Sequence, residues 1–260
     1  MVTDQNGNQF NLIEKPILTS DGWTISGFYL GTEQADLFRL AVDEPEDNRP
    51  TAVYAEGGND KVFGSMRTNL IYGGDGMDVL EGWGGNDLIY GGTDADTLFG
   101  QQDDDELYGD QGNDFLGGGE GNDKLFGGAD NDFLSGGLGD DVLAGGTGSD
   151  KFLISEGQDS ITDFNPYEGD KISFSNLSGQ VLVYEKEGDV RIKPLYTDHL
   201  TIVENTTGLD VVKGIVDAGN APIWALNFET PKSLSADLGS DYDESIQFVA
   251  NMTTDSSSAI

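Results

Sequence analysis

The chain has no cysteine, a single histidine, and 13 basic residues against 48 acidic ones, for a formal net charge of −35 over 260 residues. Without cysteine there is no disulfide framework, no thiol nucleophile and no soft ligand for a transition metal. His199 cannot build a three-histidine zinc site alone, and neither a His-Glu-x-x-His stretch nor a Gly-x-Ser-x-Gly elbow occurs. The EF-hand spacing Asp-x-Asx-x-Asx-Gly is also missing. The shortage of Lys and Arg excludes nucleic acid as a partner, because phosphates need those cations. Anionic membranes repel so acidic a chain unless a cation bridges the two. No stretch approaches the roughly 18 apolar residues of a membrane span. These absences lead us to expect no catalytic chemistry.

What the chain has in quantity is glycine, 38 residues of it, and most of it is periodic. From Ala55 to Leu153 a nine-residue unit repeats eleven times without insertion or deletion. Gly73 to Glu81, Gly118 to Phe126, Gly136 to Ala144 and Gly145 to Leu153 each read Gly-Gly-x-Gly-x-Asp-x-apolar-x. The sixth position runs Asp60, Asn69, Asp78, Asp87, Asp96, Asp105, Asp114, Asp123, Asp132, Asp141, Asp150. The eighth runs Val62, Ile71, Leu80, Ile89, Leu98, Leu107, Leu116, Leu125, Leu134, Leu143, Phe152. A six-residue turn followed by a three-residue strand, with only the middle strand residue facing inward, accounts for both columns. Two units then make one coil, and units of equal parity stack at about 4.8 Å, giving a roll about 26 Å long. The expected fold is all-β, a right-handed parallel β-roll.

In such a stack, aspartates eighteen residues apart flank one gap beside backbone carbonyls. Hard oxygens in a flexible loop suit calcium. The unit resembles the calcium-binding nonapeptide of RTX proteins. That resemblance implies about nine calcium ions. They would be held by the sixth-position column together with its glycines, Gly73, Gly82, Gly91, Gly109, Gly118, Gly127, Gly136 and Gly145 at the first position and Gly76, Gly85, Gly112, Gly121, Gly139 and Gly148 at the fourth. Asn69 lacks a carboxylate, and Asp94, Asp103 and Asp130 replace the fourth-position glycine, so sites at Asn69 and from Asp94 to Asp105 should be weakest. Residues 55–153 carry 21 acidic and 4 basic side chains, a net of −17. Repulsion therefore opposes folding until cations arrive, and binding free energy becomes folding free energy. The chain should be largely unfolded in calcium-poor cytosol and folded at roughly 0.1 to 1 mM extracellular calcium.

Residues 1–54 are expected to form a β-rich N-terminal cap. Phe10 to Leu18 and Trp23 to Leu30 flank the turn signal Ser20-Asp21-Gly22, which reads as a hairpin or small sheet. Gly31 to Arg39 sets Asp36 and Phe38 at the two signature positions, as a degenerate first unit would. Residues 154–228 are expected to be a C-terminal β cap. The stretches Asp159-Ser160-Ile161-Thr162-Asp163-Phe164 and Gly169-Asp170-Lys171-Ile172 resemble the segment that follows the repeats in secreted RTX metalloproteases and lipases. Val181 to Tyr184, Val190 to Ile192 and Leu200 to Val203 should extend it as an antiparallel sheet. Composition makes residues 229–260 a flexible acidic tail. The resemblance adds a type I secretion signal there, consistent with the lack of an N-terminal signal pattern in Met1 to Phe10.

His199, after Thr197-Asp198, reads as a surface or capping residue. Tyr72, Tyr90, Tyr108 and Phe126 should stack outward as a ladder that stiffens one sheet or meets a sugar or protein partner. The outward turn positions Gly57, Asp75, Thr93, Gln111, Ala129 and Thr147 are too mixed for an ice-binding face. The expected protein is thus secreted and non-catalytic, folded by calcium, and acts by binding at a cell surface, in adhesion or in a matrix. Two readings compete with it: an accessory module for polysaccharide or for a secreted enzyme, and an enzyme whose chemistry lies in residues 1–54 or 178–228.

Overall fold

The computed structural model describes residues 2–3, 9–13, 27–40, 51–154, 156–174, 179–186, 189–194, 200–204 and 246–252. Among these, regular structure is all strand. In chain order the strands are β1 (Val2–Thr3), β2 (Gln9–Ile13), β3 (Gly27–Thr32), β4 (Asp36–Arg39), β5 (Thr51–Glu56), β6 (Lys61–Ser65), β7 (Asn69–Asp75), β8 (Val79–Trp83), β9 (Leu88–Thr93), β10 (Thr97–Gln102) and β11 (Glu106–Gln111). They continue with β12 (Phe115–Glu120), β13 (Lys124–Ala129), β14 (Phe133–Leu138), β15 (Val142–Thr147), β16 (Lys151–Ile154), β17 (Gln158–Ile161), β18 (Lys171–Phe174), β19 (Gly179–Lys186), β20 (Asp189–Pro194), β21 (Leu200–Val203) and β22 (Ile246–Met252).

Successive units alternate between two sheets. Even-numbered strands from β2 to β18 line up in one sheet, with β1 at its edge. The odd strands from β3 to β17 form the other, which β21, β20, β19 and β22 extend. Each repeat strand pairs in parallel with the strand eighteen residues away, as Thr97 with Phe115 and Leu107 with Leu125. The fold is a parallel β-solenoid. Its nine stacked parallel strands in the first sheet span on the order of 40 Å at the usual strand spacing.

The strands are longer than the expected three residues. After the apolar position, the first residues of the next unit stay in the ladder, as Asp110 opposite both Gly92 and Gly128 shows. Two residues per strand therefore face inward: the apolar residue and the first glycine of the following unit, giving the burial pattern of β10 through Leu98 and Gly100. The column from Val62 to Phe152 is fully buried and forms a one-residue-wide core between the sheets. Flat neighbours at such short range leave space for only one large side chain per strand, which explains why every other inward position is glycine.

The roll runs past residues 55–153 at both ends. Phe38 pairs with Val62 and Ile161 with Leu143, so both continue the apolar column. Among the described residues the two runs expected as a hairpin or small sheet do not pair with each other: β2 and β3 lie in different sheets, each parallel to its neighbour, Ile13 with Phe38 and Tyr29 with Val53. Parallel addition covers the open ends of both sheets, which a local hairpin would leave bare. Strands β19, β20 and β21 are antiparallel as expected, with Val183 opposite Ile192. Within the tail read as flexible, β22 pairs antiparallel with β19, Val181 opposite Ala250. His199 and residues 253–260 lie outside the described residues.

Candidate metal centres

The sixth-position residue ends each turn just before its strand, so stacking turns must bring these side chains into file. Two files result. Beneath the first sheet run Asp36, Asp60, Asp78, Asp96, Asp114, Asp132, Asp150 and Asp170. Beneath the second run Asn69, Asp87, Asp105, Asp123, Asp141 and Asp159. Within each file the backbone N–H of one residue donates to Oδ1 of the next, from 2.6 Å for Asp36 to Asp60 and for Asn69 to Asp87 up to 3.3 Å for Asp141 to Asp159. Thr51 opposite Asn69 and Thr201 opposite Asp159 close the second file with hydroxyls.

All these acids are buried, and the second oxygen is where the chemistry lies. Asp36 and the ten aspartates from Asp60 to Asp150 each hold one buried carboxylate oxygen without a hydrogen-bond partner. A buried, unpaired anionic oxygen is costly, so a file of them demands a neutralising species. The first glycine of each unit supplies the room. A Cβ on Gly73 would overlap Asp78 Oδ2 and come within 2.5 Å of the Gly91 carbonyl oxygen, so a carboxylate and a carbonyl converge on the space that glycine vacates. Gly82, Gly91, Gly109, Gly118 and Gly127 repeat the arrangement with Asp87, Asp96, Asp114, Asp123 and Asp132, and at Gly136 and Gly145 a Cβ would overlap the carboxylates of Asp141 and Asp150. At Gly100, absent from the expected set, a Cβ would likewise overlap the Asp105 carboxylate. An all-oxygen donor set with anionic charge fits a hard divalent cation. No three His, Cys, Asp or Glu side chains meet at one point among the described residues, so such an ion would share carboxylates from two turns with backbone carbonyls.

The fourth position serves the turn. Gly76, Gly85, Gly112, Gly121, Gly139 and Gly148 have positive φ, and Asp94, Asp103 and Asp130 adopt the same conformation at 72° to 79°. Aspartate is one of the few residues that tolerate it, so the backbone from Asp94 to Asp105 keeps the regular turn. The unit from Gly64 to Tyr72 does not. Neither Ser65 nor Arg67 has positive φ, and Asn69 spends its amide on its own turn, accepting from Ser65 N–H at 2.8 Å and donating to Ser65 Oγ at 3.2 Å.

Fifth-position side chains strap the turns in the opposite direction. Asn131 N–H donates to Asn113 Oδ1 at 3.1 Å, Ser149 N–H to Asn131 Oδ1 at 2.9 Å, and Asp140 N–H to Asn122 Oδ1 at 2.9 Å. Each turn is thus tied to both neighbours. The sequence reading set Asp36 at the signature position of a degenerate unit without counting it among the ion-holding residues, and it did not place Asp159 and Asp170 in the files. Their signal was the Asp-x-apolar triplet, present as Asp36-Leu37-Phe38, Asp159-Ser160-Ile161 and Asp170-Lys171-Ile172. Asp170 ends its file, since its oxygens accept from both Asp150 and Asn165 N–H.

Burial, opposed by the N–H bond and reinforced by neighbouring acids, raises the column carboxyls from 3.8 to about 6 for Asp114, about 7 for Asp105 and about 9 for Asp87. A folded value above the unfolded one means that the cation-free roll binds more protons than the unfolded chain. That stabilisation is complete below about pH 4 and is lost as pH rises through 6 to 9. In chelator, circular dichroism should therefore show more β structure at pH 5.5 than at pH 8, both above the pI of about 4.1. With calcium the trend should reverse, because protons compete with cations for the same oxygens.

A family model of the RTX calcium-binding nonapeptide repeat matches residues 63–98, 84–116 and 117–152. No curated protein matches the chain. Among solved structures, the extracellular lipase LipA from Serratia marcescens is similar at 17% identity and a TM-score of 0.27, over 71% of this chain and 45% of the lipase. The chain thus spans less than half the length of that lipase.

Proposed function

We propose that this chain, whose residues 63–152 are RTX calcium-binding nonapeptide repeats, is a secreted, non-catalytic β-roll that folds when it meets extracellular calcium. It then acts by binding at a cell surface or in a matrix. The observation that carries this reading is the pair of aspartate files, with eleven buried carboxylate oxygens that lack hydrogen-bond partners, six of them converging with a backbone carbonyl on a first-position glycine. Seven gaps of the first file and four of the second lie between two aspartates. In these gaps the column residues Asp60 to Asp150 with Asn69, and the first-position glycine carbonyls, would hold the ions. Bound calcium supplies positive charge that offsets the −17 of residues 55–153. Residues 1–54 and 154–228 close the ends, and the last residues of the acidic tail serve as a type I export signal.

The test is a calcium titration of the purified chain followed by far-ultraviolet circular dichroism, with magnesium as control. A cooperative coil-to-β transition on the order of 1 mM calcium, absent with magnesium, is expected. A chain equally β-structured in chelator would sink the reading.

The accessory-module alternative rested on the outward aromatic ladder. That ladder is longer than expected, with Tyr54, Tyr72, Tyr90, Tyr108 and Phe126 stacked at 4.6 to 4.8 Å, the spacing of the strands that carry them. Stacked this way, the rings turn their faces to one another and present edges outward. A sugar ring needs a face, so the ladder supports sheet stiffening rather than sugar binding.

A further inference from the structure

On the N-terminal side of the second unit the eighteen-residue step is not kept. From Arg39, opposite Phe63, to Thr51, opposite Asn69, the chain takes twelve residues where the repeat takes six. The turn of Gly64 to Thr68 joins the two strands opposite the ends of this connection, whose residues 41–50 lie outside the described residues. A cavity of about 330 Å³ opens there, lined among the described residues by Arg39, Leu40, Phe63, Gly64, Ser65 and Trp83.

Trp83 is the unusual member. It holds the second position of its unit at φ 80°, a conformation that bulky residues rarely adopt, and it is 45% exposed. The same position is glycine in Gly74, Gly92, Gly119, Gly128, Gly137 and Gly146, so the roll does not need an indole there. A strained, exposed aromatic at a cavity rim points to function. The charge is unusual as well. Gly64 to Tyr72 is the one unit of eleven with no acidic residue, and it carries Arg67. The Arg39 guanidinium lies 5.5 Å over the Phe63 ring. The nearest acid in that row, Glu81, pairs beside Phe63 and accepts from Gln101 Nε2 at 3.0 Å. Among the described residues this corner sets Arg39 and Arg67 beside the Phe63 ring and the half-exposed Trp83; the acids Asp43, Glu44, Glu46 and Asp47 that follow Leu40 in sequence lie outside the described residues.

We propose that the Trp83 cleft binds an acidic sugar residue, a hexose ring carrying a carboxylate, with the ring on the indole and the carboxylate toward Arg39. Aromatic faces take the apolar face of a sugar ring, and a guanidinium forks onto a carboxylate. The unit at this corner gives up a column carboxylate, Asn69 standing in its place, so the cleft borders the second file only at its neutral end, where Ser65 bonds to Asn69.

The test uses the full chain in saturating calcium, with free calcium held constant by electrode, titrated with glucuronate and with glucose while tryptophan fluorescence is read. Glucuronate should bind on the order of 1 mM, as expected for a ligand of about a dozen heavy atoms. Glucose should bind about tenfold more weakly. Arg39→Gln should bring glucuronate to the glucose level and leave glucose unchanged. Trp83→Gly should abolish the response to both. Its calcium-induced dichroism should remain, and a failure there would count against the folding account instead. No saturable glucuronate response, equal binding of the two sugars, or binding of either sugar that survives Trp83→Gly in calorimetry would overturn the proposal.

Discussion

Asp114→Ala should raise the calcium concentration that half-folds the chain by about threefold or more, and Asp132→Ala should do the same. Asp114 sits in mid-file, where its Oδ1 accepts the Asp96 N–H at 2.8 Å and its other oxygen faces the Gly109 cradle. Alanine removes the acceptor, leaves a buried N–H unpaired at a cost of about 1 to 3 kcal/mol, and strips two gaps of a ligand. At fixed calcium this appears as lost folding free energy, and more ion is required to restore it. The reverse change is Asn69→Asp, which supplies the carboxylate its file lacks. It should gain less, because the turn from Ser65 to Thr68 is not in the regular conformation. Equal midpoints for Asp114→Ala and the parent chain would mean that the files do not hold the ions.

Gly136→Ala should damage a cation site more than any change of that site's surface residues. A Cβ there would overlap the Asp141 carboxylate and approach Cγ to 2.5 Å, in backbone that cannot shift without moving both neighbouring turns. Overpacking of this kind costs about 1 to 3 kcal/mol, and expelling Asp141 from its file adds the loss of a ligand. Gly57→Ala is the matched control. Its nearest neighbour would be Glu33 Oε2 at 3.3 Å, the flexible end of a side chain, and Gly57 does not have positive φ. Calcium titrations of the two variants should differ by about an order of magnitude in midpoint. Similar behaviour would show that the first glycine is conformational in role and no part of a cation cradle.

Much of this was legible from residues alone. A period of nine with Asp at the sixth position and an aliphatic at the eighth forces alternation between two sheets, because a coil of two units is the shortest path that keeps both columns in file. Burial of Val62 to Phe152, the eighteen-residue register and the aspartate files follow from that arithmetic. Other features depend on which strand stacks on which. Asp36 joins Asp60 across 24 residues and Asp170 joins Asp150 across 20, and no period announces such partners, because the extra residues leave as loops while the strand register is kept.

The first-position glycines were expected among the ion-holding residues, but not how they act, since the neighbours that need their room are a carboxylate five residues on and a carbonyl eighteen residues on. The sequence by itself determined the repeat, the fold class and the hard-oxygen chemistry, because each is encoded in residue type at fixed spacing. Only the tertiary structure decided how far the files run, that the tyrosine faces are consumed by one another, and that a cleft opens beside Trp83. Those depend on distances between turns that the chain reaches only once it is stacked.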